Sequence, residues 1–233
     1  MRIRRVVTTR EGGGSTAPYA SFNLGLHVGD DSAAVQANRQ RLAEGVGRPV
    51  SEFVWMEQVH GTNVEFVGEA GNLAATDGVV TGTPGLVLAV LVADCVPVLL
   101  ADQEAGVVAA VHAGRVGARD GVLSAAVEQM TKAGAQAERI DVLLGPSVCG
   151  PCYEVPADMA DEVEAALPGS RCKTAKGTPG LDLRAGLFRQ LTDAGITRIG
   201  IDPRCTVEDP TLFSHRRERV TGRQAAVIWM EAP

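Results

Sequence analysis

The sequence predicts an α/β fold, α+β-like, with a mixed sheet in a single compact domain. Three observations carry that expectation. Short apolar runs of strand length alternate with longer stretches of helical period. The most apolar runs form an antiparallel hairpin in the middle of the chain, which a purely parallel doubly wound sheet would not contain. The chain has 233 residues, 45% hydrophobic and 21% charged, enough for one substantial core without long disordered tails. One unit over 1–233 is expected.

Residues 10–30 read as a loop, dense in Gly, Ser, Asn and Asp. Residues 31–45 read as a helix, with Asp31 or Ser32 as N-cap and Val35, Leu42 and Val46 on one side. Residues 52–56 and 63–67 are short strands flanking a loop that holds Gln58 to Gly61. Residues 86–92 form a buried strand. Residues 96–101 and 107–111 are the two arms of the hairpin. A helix follows over 120–133, with Val122, Leu123, Ala126, Val127 and Met130 inward. Residues 140–144 form a strand, 157–167 and 184–194 helices, and 196–201 and 225–229 late strands.

The hairpin is where chemistry is expected. The apolar run before it stops at Asp94-Cys95, and its second arm stops at His112-Ala113-Gly114. A two-residue turn at Gln103-Glu104 would set Cys95 opposite His112, on one sheet face with Cβ atoms roughly 4.5–5.5 Å apart. A slip by one residue would send them to opposite faces. His60, in the loop between two strands and followed by Gly61, is the third candidate. Two imidazoles and one thiolate suit Zn²⁺ and leave a fourth position for water or substrate. The alternative is a buried cysteine with two satisfied core histidines, and residue chemistry alone favours it, because no two of these residues form a short metal motif.

Other motifs carry less. Cys149-Gly150-Pro151-Cys152 matches the dithiol motif of thioredoxin-like proteins, but no tryptophan precedes it and no helix starts directly after it. A packing role for this loop is expected. The pairing of His-x-Glu with Pro-Cys-x-x-Cys that marks cytidine deaminases is missing. Gly12-Gly13-Gly14 lacks the Gly-Lys-Ser/Thr ending of a phosphate loop. Arg216, Arg217, Arg219 and Arg223 read as a solvated face, with an anion clamp as the alternative.

Lys plus Arg number 22 and Asp plus Glu 28, a net charge of −6, so the footprint of a nucleic-acid binder is absent. No apolar run approaches the length of a membrane span, and no signal-peptide pattern opens the chain. Five cysteines, an odd number, read as free thiols or metal ligands. A cytoplasmic protein is expected.

The segments SFNLGLHVGDD, NRQRLA, EQVHGTNV, DGVVTGTPGLVLAVLVADCVPVLLAD, AAVHAG, GPSVCGPCYEV, LDLR and FSHRRERVTGRQAAVIWM occur in that order. Together they resemble the YfiH-like and FAMIN-like laccase-domain family, long labelled multicopper polyphenol oxidases. The resemblance covers nearly the whole chain. It implies a compact α/β fold and a zinc on two His and one Cys, positions matched here by His60, Cys95 and His112, which would then be the catalytic centre. Copper is the less favoured metal. It also implies purine nucleoside chemistry: phosphorolysis of adenosine, inosine and methylthioadenosine, and deamination of adenosine. The partners are then a small nucleoside and phosphate, with no nucleic acid and no membrane. Asn23, Arg39 and Gln58 fall within the family's motifs as candidate pocket residues. Asp77 and Asp94 are candidates for proton transfer or ribose contacts, and Arg216 for the anion.

Two segments depart from the family's pattern. After the second histidine the family has Ala-Gly-Trp-Arg-Gly, and here Arg115 and Val116 take the Trp and Arg places. The usual Ser-Tyr-Arg-Arg reads Ser214, His215, Arg216 and Arg217. The alternatives to a nucleoside enzyme are a cysteine hydrolase with Cys95 as nucleophile and His112 as base, a copper-dependent phenol oxidase, and a non-catalytic metal-binding module. Four histidines are too few for a multicopper cluster.

Overall fold

The structure, a computed structural model, describes residues 1–231; the last two residues of the expected unit lie outside it. In chain order the elements are β1 (Arg2–Val7), α1 (Ser32–Gly45), β2 (Phe53–Met56), β3 (Val64–Phe66), β4 (Gly71–Leu73), β5 (Gly78–Thr81), β6 (Val87–Val92), β7 (Val96–Asp102), β8 (Val107–Ala113), α2 (Arg115–Asp120), α3 (Val122–Lys132), β9 (Asp141–Leu144), α4 (Ala157–Ala166), β10 (Arg171–Lys173), β11 (Pro179–Leu181), α5 (Leu183–Asp193), β12 (Arg198–Ile201), α6 (His215–Glu218) and β13 (Gln224–Glu231). The fold is mixed α/β, as the alternating runs predict.

Two mixed sheets form its centre. One has the order β1-β13-β6-β2-β4, the other β12-β9-β7-β8-β5-β3. The middle strands are apolar at almost every position because both of their faces are covered. Along β6, Leu88, Val90 and Val92 meet Leu99, Ala101, Val108 and Ala110 of the other sheet. The alternate residues Val87, Ala89 and Leu91 face Phe22, Leu24, Leu42 and Trp55. Along β8, Val107, Ala109 and Val111 face the opposite way, towards Leu123, Ala126 and Met130 of α3. The period-2 alternation of a strand thus divides the apolar residues between two interfaces. No helix among the described residues is long and apolar enough to cross a membrane.

The hairpin register differs from the expected one. Asp102 faces Val107, and His112 faces Pro97 rather than Cys95. The Asp102 carboxylate causes this: its Oδ1 accepts from the backbone N–H groups of Glu104 and Ala105, both at 3.0 Å. That side-chain bond lengthens the turn to four residues. The shift is by two, so His112 keeps its face, and only a shift by one would have inverted it.

The expected helix over 120–133 is α3; a further helix, α2, precedes it and is divided from it at Gly121 with φ +97°. Arg115 and Val116 therefore lie on a helix. The sequence reading also missed β1, β4, β5, β10, β11 and α6. β1 pairs along its whole length with β13, and β5 pairs with both β8 and β3.

Candidate metal centre and pocket

The chain crosses from one sheet to the other between β6 and β7, through Ala93, Asp94 and Cys95. Asp94 holds φ +98°, a conformation that costs a non-glycine residue about 1–3 kcal/mol. Its carboxylate offsets that cost by accepting from Thr206 Oγ1 (2.6 Å), Ser214 Oγ (2.7 Å) and the Arg216 N–H (2.6 Å). The sharp crossing sets Cys95 at the end of the seam between the sheets. His112, near the end of β8, reaches the same place.

The third group comes from the 57–63 loop. Asp77, fully buried just before β5, accepts from three successive N–H groups of that loop: Val59 (3.2 Å), His60 (2.9 Å) and Gly61 (2.7 Å). Its Oδ1 also lies 2.8 Å from His112 Nδ1. One carboxylate therefore positions both histidines. With Nδ1 engaged, His112 keeps Nε2 for the centre.

The donor atoms of His60, Cys95 and His112 all lie within 4.8 Å of one another. Cys95 Sγ is 3.7 Å from His60 Nε2, and the two imidazoles meet edge to face at 4.7 Å between centroids. Gly114 is required by this closeness: a Cβ there would lie 2.6 Å from His60 Cδ2 and 3.3 Å from Cys95 Sγ.

Burial opposes ionisation of both Cys95 and His112, yet each is the other's countercharge. The His112 imidazolium draws the Cys95 thiol down to about 6. The Cys95 thiolate, with Asp77, raises His112 to about 9. Asp77 is buried too, but the bonds from His112 and the loop N–H groups hold it below the usual carboxylate range. Two imidazoles, a thiolate and a carboxylate behind one imidazole fit a divalent metal such as zinc.

The centre opens into a cavity of about 560 Å³, within the range of small-molecule sites. Gln58, Asp94 and Arg216 line it; Asn23, Arg39 and Asp77 are not among its lining residues. Asn23 is buried, bonding Asp30, Gly25 and the Arg223 N–H. Arg39 lies 3.8 Å over the Trp55 ring and donates to the Leu24 carbonyl. Gln58 has both ends of its amide on the backbone of Leu91. The Asp94 carboxylate is occupied by three donors, so it positions the wall rather than offering a free oxygen.

Sequence reading missed His27, Tyr153 and His215 as lining residues. All four histidines of the chain reach this cavity, although only His60 and His112 join Cys95 in a ligand group. The terminal basic run divides. Arg216, Arg219 and Arg223 line the cavity with Arg115, so the expectation of a solvated face does not hold. Arg217 instead donates to the carbonyls of Thr206, Asp209 and Leu212. No helical or strand period marks this division, because 216–223 is mostly irregular.

The Cys149–Cys152 loop forms a single 3₁₀ turn, and α4 begins only at Ala157. Burial raises both thiols, the opposite of a redox nucleophile.

The chain matches, over residues 4–231, the family described as multi-copper polyphenol oxidoreductase laccase. It is 63% identical over 233 residues to a purine nucleoside phosphorylase of Mycobacterium tuberculosis, covering 99% of this chain and 93% of that one. It is 55% identical over 232 residues to a purine nucleoside phosphorylase of Corynebacterium glutamicum, covering 98% and 94%. Among solved structures, YlmD from Geobacillus stearothermophilus superposes with a TM-score of 0.92 at 36% identity, over 99% of this chain and 92% of that one. The Bacillus licheniformis hypothetical protein YfiH gives 0.92 at 30% identity, over 98% and 93%.

Proposed function

The chain belongs to the multi-copper polyphenol oxidoreductase laccase family, and from that premise we propose that it is a cytoplasmic purine nucleoside phosphorylase. Adenosine, inosine and methylthioadenosine are its proposed substrates. Phosphate adds to the ribose anomeric carbon as the bond to the purine nitrogen breaks and the departing base takes up a proton, giving the free base and ribose 1-phosphate, or 5-methylthioribose 1-phosphate from methylthioadenosine. One observation carries the reading: four arginines converge on a cavity of about 560 Å³ beside the His60–Cys95–His112 group, in a chain of net charge −6. Relatives named purine nucleoside phosphorylase support it.

Arg115, Arg216, Arg219 and Arg223 present planar forks suited to a phosphate dianion. Asp94 is the one carboxylate among the lining residues, and its three hydrogen-bond donors blunt its repulsion of an anion. Tyr153, with the Arg216 guanidinium 5.0 Å from its ring centre, offers an aromatic face for the purine. His60, Cys95 and His112 would hold zinc, with Asp77 orienting the two histidines. Bound there, zinc would supply a Lewis acid at the cavity wall. Three donors at the cavity suit one metal ion rather than a copper cluster.

The test is incubation of metal-analysed protein with each nucleoside, with and without phosphate, and chromatography of the products. Base and the corresponding sugar 1-phosphate formed only with phosphate support the reading. Inosine formed from adenosine without phosphate reveals deamination. No turnover of any nucleoside overturns both. A second reading, a cysteine hydrolase, is favoured by the Cys95–His112 charge pair backed by Asp77. It requires amide or ester hydrolysis by metal-free protein, abolished by Cys95→Ser.

A further inference from the structure

A second group of metal-binding side chains lies apart from the first. The donor atoms of Cys149, Cys152, Cys205 and Glu208 all fall within 4.8 Å of one another. They come from two segments 56 residues apart. The first is the turn of the Cys-Gly-Pro-Cys motif, where the Cys152 N–H bonds the Cys149 carbonyl at 3.0 Å and brings the two thiols to one side. The second is the bend after Cys205, where the Asp209 N–H bonds the Cys205 carbonyl at 2.8 Å and turns Glu208 back.

The segments are held together without any ion. Ser147 and Cys205 form a parallel bridge, and the Thr206 N–H donates to the Ser147 carbonyl at 3.1 Å. The Cys149 N–H donates to Cys205 Sγ at 3.4 Å. Cys149 Sγ lies 3.9 Å from Glu208 Oε2. Zn–S bonds of about 2.3 Å in a tetrahedron set sulfurs roughly 3.8 Å apart. All five cysteines are free, so no disulfide competes for these sulfurs in this structure.

We propose that Cys149, Cys152, Cys205 and Glu208 form a second, closed zinc site with a structural role. Three thiolates and a carboxylate complete a tetrahedron with no position left for substrate, and thiolate donors select zinc over hard cations. The site serves the pocket indirectly. Val148 and Thr206, each next to a ligand, make the two bonds that tie Asp94 to this region: the Val148 N–H to its carbonyl at 3.0 Å and Thr206 Oγ1 to its carboxylate at 2.6 Å. An ion there braces the crossing that carries Cys95.

The experiment is a zinc count on protein purified under reductant, loaded with excess zinc and dialysed. Two zinc ions per chain are expected in the wild type. One is expected in Cys149→Ser/Cys205→Ser, and one, at the other site, in His60→Ala/His112→Ala. A single zinc in the loaded wild type, or two retained in the cysteine variant, overturns the site. If the cysteine variant does not fold, cobalt(II) loading of the wild type decides. Charge-transfer intensity of four thiolate–cobalt bonds, three here and one from Cys95, supports the proposal, and intensity of one overturns it. A Cys149–Cys152 disulfide that forms in air, with no second zinc taken up after reduction, overturns it too. The zinc count does not depend on which nucleoside is turned over.

Discussion

Two regions of this protein each gather metal-binding donor atoms within 4.8 Å of one another, and they differ in what surrounds those atoms. The His60–Cys95–His112 group lies at the end of the seam between the sheets. Its donors are mixed, its histidines are tied to Asp77, and one side opens into an arginine-lined cavity. The Cys149–Cys152–Cys205–Glu208 group lies between two loop segments, rich in sulfur, and none of its four residues lines the cavity. Ligand proximity is therefore a poor guide to function by itself. What separates a reactive centre from a brace is the open position, the buried carboxylate behind the ligands and the charge of the adjoining space.

The comparison breaks most readily at Asp77. Asp77→Ala leaves the His112 imidazolium without its buried partner and releases three loop N–H groups, a loss of about 3–5 kcal/mol. Thermal unfolding should show this, along with loss of the first metal while the second stays bound. Asp77→Asn keeps the shape and should cost roughly 10–100-fold in affinity for the first metal alone. Equal loss from both sites would mean that the two are not independent.

Arg216 separates the regions next. A hydrogen bond to a charged group contributes roughly 1.5–3 kcal/mol. Arg216→Ala should therefore lower kcat/KM at limiting phosphate by about 10–150-fold, with both metals kept. Arg115→Ala should act in the same direction. Val116→Arg should have little effect, because Val116 is not among the cavity-lining residues. Phosphate titrations of the three variants check this, and an unchanged KM in the first two removes the arginines from the phosphate site.

A smaller and sharper effect is expected from pH on metal-free protein. Cys95 is lowered from 9.0 to about 6, so its contribution to stability is full above pH 9 and lost as pH falls through 6. His112 is raised from 6.5 to about 9, so its contribution is full below 6.5 and lost as pH rises through 9. The pair is thus charged between about pH 6 and 9. Iodoacetamide labelling of Cys95 should rise with a midpoint near 6, and zinc should suppress it. A midpoint near 9 would show that the pair does not form. Smallest of all is the effect of Cys149→Ser/Cys152→Ser on turnover, expected to stay within a few-fold, because neither residue lines the cavity.

Much of this protein is legible along the chain. Runs such as Val87–Val92 and Val107–Ala113 announce strands covered on both faces, and Asp31 announces the start of α1, where it accepts from the Ala33 N–H at 2.9 Å. The stops at Asp94-Cys95 and His112-Ala113-Gly114 mark where the apolar pattern yields to chemistry. The division of the terminal arginines is not legible. Arg217 turns to backbone carbonyls and Arg216 to the cavity because Ser214 caps α6, accepting from the Arg217 N–H, while Asp94, 122 residues earlier, captures the Arg216 N–H.

Local pattern settled the strand faces, since period 2 places every second residue on one side whatever the partner. It also settled the start of α1 and the residue types at the ends of the hairpin. Register, pairing between distant segments and side-chain direction were decided only in three dimensions. One carboxylate, Asp102, lengthened a turn and moved the partner of His112 by two residues. Another, Asp77, joined a loop to a strand end. Such bonds depend on charged groups meeting in a dry interior, where an unpaired group is costly and the chain adjusts until each is matched.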